Sequence, residues 1–252
     1  MLKFVALRAI MSCCRRTLVA DGIQGDCPAT IAAQPLSHIK GRDVTLKTPL
    51  QYQLTEYDCG PVCVENALRA LFERAQIPPE LPKCIWQHTL DTFGRDGTIG
   101  KHGTSKSAMQ SLAALLDDYG RQNEFPIATQ YLQGKVTDVA NGSRIVTALE
   151  SGGVAVARVM YGCPHYVLLT GAANGKVTLF NPYLRLVPYR KRGIEMLTPP
   201  DALEYAEKGG EPANRRVDFA VLDDTRRTVY ALGPREKREV VLLFNTTATP
   251  QA

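Results

Sequence analysis

The sequence predicts an α+β fold in which N-terminal helices pack against an antiparallel β-sheet. Three observations carry that prediction. Apolar residues recur at helical spacing from Pro61 to Arg74 and again after Ser105. From Val154 onward the pattern changes to short runs rich in β-branched residues, "VAVARVM", "HYVLLTG" and "KVTLF". The last two runs flank Asn174-Gly175, a strong hairpin signal. Helices first and hairpin-linked strands afterwards make segregated layers rather than alternating β and α units.

The bulk properties bound the architecture. A chain of 252 residues with 44% hydrophobic content can bury a real core, as one large domain or as one domain with extensions. The expected division is an N-terminal extension over 1–46, a main domain over 47–195, and a C-terminal extension over 196–252 whose strands pack on the same domain. The net charge of +5, from 30 basic and 25 acidic residues, is too small to establish an anionic partner. No apolar stretch reaches the length of about 18 residues that a membrane span needs. Cys13, Cys14, Cys27, Cys59, Cys63, Cys84 and Cys163 make an odd number, without the spacing of a disulfide scaffold, and point to a reducing compartment.

The elements follow in order. The start, "MLKFVALRAIMSCCRRTLVADG", is basic, and Arg8, Arg15 and Arg16 interrupt its apolar residues. It reads as a short amphipathic helix, as an upstream addition to a true start at Met11, or as a targeting segment. Turn residues Gly22, Gly25, Pro28 and Pro35 follow. Pro61–Arg74 is a helix, with proline tolerated in its first turn and Val64, Ala67, Leu68 and Leu71 on one face. "IPPELPKC" breaks the chain, and residues 82–91 form a short helix carrying Trp86. The loop "FGRDGTIGKHGTS" leads into a helix with Ser105 as N-cap and Gly120 as its stop. Ser143–Glu150 is another short helix, ended by Gly152-Gly153. After the three strands, "VDFAVLD" and "EVVLLFN" read as two more.

The stretch "QYQLTEYDCGPVCVENALRALF" holds the most chemistry. Cys59 lies at a helix N-terminus, where unpaired N–H groups and the helix dipole favour a thiolate. That field contributes only about 0.5–1 kcal/mol, so an imidazole partner is needed as well. Gly60 leaves room for a substrate backbone to approach. Gln53 carries an amide that, with the Cys59 backbone N–H, can bind a developing oxyanion. Cys63, one turn later, reads as a small core residue. His165 opens the strand "HYVLLTG" and, sixteen residues on, Asn181 ends the strand that hairpins back beside it. An amide oxygen accepting from one ring N–H leaves the other ring nitrogen facing sulfur.

Gln53, four residues, then Asp58-Cys59-Gly60-Pro61 before an apolar helix resembles the double-glycine leader peptidase family, papain-like domains that trim bacteriocin leader peptides. "CPHYVLLTG", "TLFNPYL" and the "HGTS" helix resemble later parts of the same pattern, so the likeness covers roughly 47–190. It implies a free-standing bacterial cysteine peptidase of papain-like fold, needing no cofactor. Cys59 would be the nucleophile, His165 the base and acid, Asn181 the orienter and Gln53 an oxyanion donor, with Gly60 and Asp58 facing substrate. A peptide or protein substrate cut after small residues such as Gly-Gly is implied, as is a cytoplasmic location, with secretion by a non-classical route left open. The family usually has Asp-Pro where this chain has Asn181-Pro182. Asn serves as orienter in papain-like enzymes generally.

Cys59/Cys63 and Cys84/His88 are spaced for zinc ligation on helices, though less diagnostically than paired CxxC knuckles. "GRDGTIGKHG" has glycines five residues apart but no Ser or Thr directly after Lys101, so it is not a P-loop, and His102 there is a loop residue. The run Arg190-Lys191-Arg192 reads as a solvated face rather than a nucleic-acid site. Two readings share the fold: a domain that binds leader peptides without cutting them, and an acyltransferase using the same thioester. Gly209-Gly210 raises the hypothesis of self-processing.

Overall fold

A computed structural model describes residues 48–185, 191–198 and 212–247. The predicted extension over 1–46, Arg190 and the Gly209-Gly210 pair lie outside the described residues. The described chain is α+β.

Helix α1 spans Cys59–Leu71, α2 Glu80–Thr89 and α3 Lys106–Asn123. Strand β1 follows at Ile127–Gln133, then the short helix α4 at Arg144–Glu150. Strands β2, Val154–Tyr161, β3, Cys163–Ala173, and β4, Lys176–Phe180, form a meander. Beyond them come β5 at Ile194–Met196, β6 at Arg215–Asp218, a single helical turn α5 at Phe219–Leu222, and β7 at Glu239–Asn245. The described strands form one antiparallel sheet in the order β1-β7-β2-β3-β4-β6-β5. The strands after residue 195 are therefore built into the sheet that carries β2–β4, and β7 lies between β1 and β2.

Both faces of the sheet are covered. On one, α1, α2 and α3 bury Leu68, Phe72, Leu81, Ile85, Met109, Leu112 and Leu116 against Val156, Tyr166, Leu168, Val241 and Leu243. Each such side chain contributes about 1.5–3 kcal/mol of transfer free energy. On the other, Ile145, Val146 and Leu149 of α4 and the 219–232 segment cover Ala155, Val167, Leu169, Val177 and Leu242. Strands buried twice over lose the alternation of a half-exposed sheet, which explains the near-continuous apolar text of β2 and β7.

Several predicted boundaries move, each for a local reason. Helix α1 starts at Cys59, two residues earlier than predicted, because the Asp58 carbonyl already accepts from Val62 N–H. It stops at Leu71, as Phe72 turns extended (φ −129°, ψ 152°) to bury its ring 4.6 Å from that of Phe125. Helix α3 runs through Gly120, and Glu124, in the left-handed region at φ 52°, ends it instead. Ser105 caps its helix through its side-chain oxygen, as predicted, and Ser143 caps α4 in the same way. "VDFAVLD" is not one strand: pairing ends at Asp218 and the chain coils into α5. Asn174 and Gly175 make the β3–β4 turn with φ of 53° and 73°.

Candidate active site

The start of α1 is pinned against the start of β3. The Cys59 sulfur is buried, within reach of the backbone N–H groups of Tyr166 and Gly60 and of its own. Tyr166 immediately follows His165, so β3 brings the predicted base to within one residue of the sulfur's contact. Thiol and ring form no hydrogen bond to each other in this structure. Burial pushes the Cys59 thiol up to about 11; those N–H groups pull the other way and lose. The lowered thiol expected at a helix N-terminus is thus not the resting state, because desolvation outweighs a helix field of about 1 kcal/mol.

His165 and Asn181 do meet. His165 Nε2 lies 2.9 Å from Asn181 Oδ1, both buried. The protons can be assigned from the network. Asn181 Oδ1 also accepts from Tyr183 N–H, and Asn181 Nδ2 donates to the Tyr230 hydroxyl at 2.8 Å. That fixes the amide orientation, so the imidazole Nε2 must be the donor and, in the neutral ring, Nδ1 carries the lone pair. Burial holds His165 below its ordinary range, with the Asn181 bond opposing. The ring is therefore neutral at pH 7. Tyr161 packs on it, with centroids 5.4 Å apart, and Tyr161 also packs on Tyr230.

Asn181 is held from behind by groups that sequence reasoning missed. Its backbone N–H donates to Asn214 Oδ1 and its carbonyl accepts from Asn214 Nδ2, each at 2.8 Å. Tyr230, 49 residues along the chain, sits at φ 64° and is buried. Neither residue has a local motif; strained tyrosine backbone leaves no trace in sequence.

The remaining predicted residues are placed differently from expectation. Gln53 is tied beside Asn181 by a bond from its backbone N–H to the Pro182 carbonyl, 2.9 Å. Its side chain, however, turns into its own loop: Nε2 donates to the Thr55 carbonyl at 2.6 Å, and Oε1 is buried without a partner. One N–H of the amide stays uncommitted. Asp58 accepts from Thr55 N–H at 3.1 Å and so shapes the 55–58 turn. The space expected at Gly60 is filled: a Cβ there would overlap the side chain of Thr104, whose hydroxyl is itself buried and unpartnered. Gly60 serves the approach of the α3 leader to α1. Cys63 is buried in the core, and His88 Nδ1 bonds the Cys84 carbonyl at 2.8 Å. Among the described residues no cluster of three or more His, Cys, Asp or Glu is arranged for a metal. No described helix is long and apolar enough to cross a membrane.

No protein-family model matches the chain, and no curated protein does. Among solved structures it is similar to the peptidase domain of Streptococcus ComA, a bifunctional ABC transporter involved in a quorum-sensing pathway: 12% identity, TM-score 0.36, covering 81% of this chain and 99% of that one. It is also similar to the peptidase domain of Streptococcus mutans ComA: 15% identity, TM-score 0.26, covering 53% of this chain and 77% of that one. Both similarities are remote.

Proposed function

We propose that the chain is a thiol-dependent acyl-transfer enzyme. More particularly, it is a papain-like cysteine peptidase that cleaves a peptide bond through an acyl-thioester on Cys59. The observation that carries this reading is the neutral, Nε2-protonated His165, held by Asn181, at the β3 end where the Cys59 sulfur is buried.

The steps follow from those atoms. A bound peptide displaces solvent and brings His165 Nδ1 to the thiol. Nδ1 takes the Sγ proton as sulfur attacks the carbonyl carbon. The oxyanion is met by the Cys59 N–H, which as the first of α1 has no intrahelical acceptor, and by the second N–H of Gln53. The imidazolium returns its proton to the departing amine. Water, deprotonated by the same ring, then releases the acid. Small residues before the cut, such as Gly-Gly, come from the resemblance of the Cys59 motif, as does a bacterial cytoplasmic setting.

A second reading, a domain that binds peptides without cutting them, is favoured by the raised thiol and by the missing sulfur–ring hydrogen bond. Mass spectrometry of short peptides incubated with the protein and with Cys59→Ala decides between them. Cleavage by the first alone, with a mass shift of the intact protein matching an acyl adduct, is expected. Binding with no product from either protein sinks the enzymatic reading. An added amine that captures the acyl group in place of water would identify a transferase.

A further inference from the structure

One residue before the proposed base lies a cavity of about 360 Å³, walled by the end of β2, the turn into β3 and the 227–237 connection. Cys163 and Pro164 form part of its wall, and they lead directly into His165. The cavity therefore borders the start of β3, which carries His165.

Its lining holds three cations, Arg158, Arg227 and Lys237, and no carboxylate. Arg158 is fixed in place. Its Nη1 stands 3.6 Å from Glu239, whose side chain is fully buried and also accepts from the hydroxyls of Tyr131 (2.7 Å) and Tyr166 (2.8 Å). Lys106 joins the group by donating to the Lys237 carbonyl; burial, with help from Arg158 and Lys237, weakens its hold on a proton against the pull of Glu239. Arg158 and Lys106 thus both stand near Glu239. The aspartates nearest in the chain are taken, Asp223 by Arg238 and Arg235, Asp224 by Arg226. The charged ends of Arg227 and Lys237 have no acceptor among the described residues, and both residues are exposed.

Like charges gathered around a concave surface focus a positive potential into it. We propose that this cavity is a specificity subsite for a carboxylate: the side chain of an Asp or Glu in the bound peptide, within a few residues of the bond that Cys59 attacks. Met160, Pro164 and Leu232 line the rest of the cavity and take the methylenes of that side chain. The proposal rests on the peptide reading above and names the class of peptide.

The test has a catalytic arm and a binding arm. Mixed short peptides are digested with the protein and with the double variant Arg227→Glu/Lys237→Glu, whose exposed positions leave the fold intact, as thermal melting checks. Fluorescence anisotropy with Cys59→Ala measures binding of peptides differing only by Glu against Gln. Expected is a preference for Glu of about 10-fold at low salt, falling as salt rises, and reversed toward Lys by the double variant. Cleavage without acidic preference, or with a preference that the double variant leaves untouched, overturns the subsite while the peptidase reading stands. Absence of cleavage with Glu-selective binding that the double variant abolishes supports the subsite and removes the peptidase. Inorganic phosphate displacing the Glu peptide at a lower concentration than a Glu peptide displaces itself overturns the proposal in favour of a free-anion site.

Discussion

Cys59 and His165 are both buried, and burial disfavours the charged form of each. The resting site is a neutral thiol beside a neutral ring, and two measurable consequences follow. Alkylation of Cys59 by iodoacetamide rises with pH toward about 11, and at pH 8 it is slower than that of exposed Cys163. Faster labelling of Cys59 at neutral pH rules out that resting state. His165 binds its proton less tightly folded than unfolded, so the unfolded chain takes up more protons below its ordinary value of 6.5. Stability contributed by this ring is present above pH 6.5 and is lost as pH falls through the lower folded value. Activity should follow the same limb, which a pH–rate profile reads. Tyr230→Phe removes the acceptor of Asn181 Nδ2 and leaves a buried amide N–H unpaired, at about 1–3 kcal/mol. Tyr230 is a positioning residue: the variant should also shift the His165 titration seen by NMR, which a purely structural role would not do.

Elements show where local sequence decides and where it is overruled. Ser105 was legible as a cap, because a hydroxyl at that position has a local partner in its own helix. Gly120 was misread, because what holds it is distant. A Cβ at 120 would stand 2.7 Å from the Ile127 carbonyl and 3.0 Å from that of Phe125, both backbone. Gly120→Ala gains about 1 kcal/mol of helix propensity and loses about 1–3 kcal/mol to overpacking, so the variant should melt lower. Strand β1 escaped sequence reasoning: its polar residues Thr129, Gln130 and Gln133 dilute the pattern, and only its pairing with β7 makes it a strand. "VDFAVLD" failed in the opposite sense, since apolar residues that look like one strand bury themselves from a strand and a helical turn in succession.

At the scale of the molecule, the catalytic candidates Cys59, His165 and Asn181 were readable because each sits in a local frame: a helix start, a strand start, a hairpin end. The residues that hold them were not. Asn214 and Tyr230 reach Asn181 across 33 and 49 residues, and Glu239 is the buried carboxylate at the head of an apolar strand. Arg238 illustrates how much depends on such distant ties. Its side chain is fully buried, pairs with Asp223 at 2.6 Å and donates to the carbonyls of Gly233 (2.8 Å) and Asp223 (2.7 Å). Arg238→Ala leaves the Gly233 and Asp223 carbonyls without these donors and Asp223 to Arg235 alone among cations, and should cost about 1–3 kcal/mol for each buried carbonyl left unpaired, read by denaturant unfolding.

The place of β7 between β1 and β2 has a consequence for biosynthesis. While a ribosome is still adding residues 239–245, β1 and β2 present bare edges to one another and to every other nascent chain nearby. The helices that carry Cys59 can form early, but the platform beneath them is assembled only after translation has passed Asn245. A messenger cut short before that point yields a chain that carries Cys59 but leaves the facing edges of β1 and β2 without the strand that joins them, and bare edges of that kind pair with one another between copies.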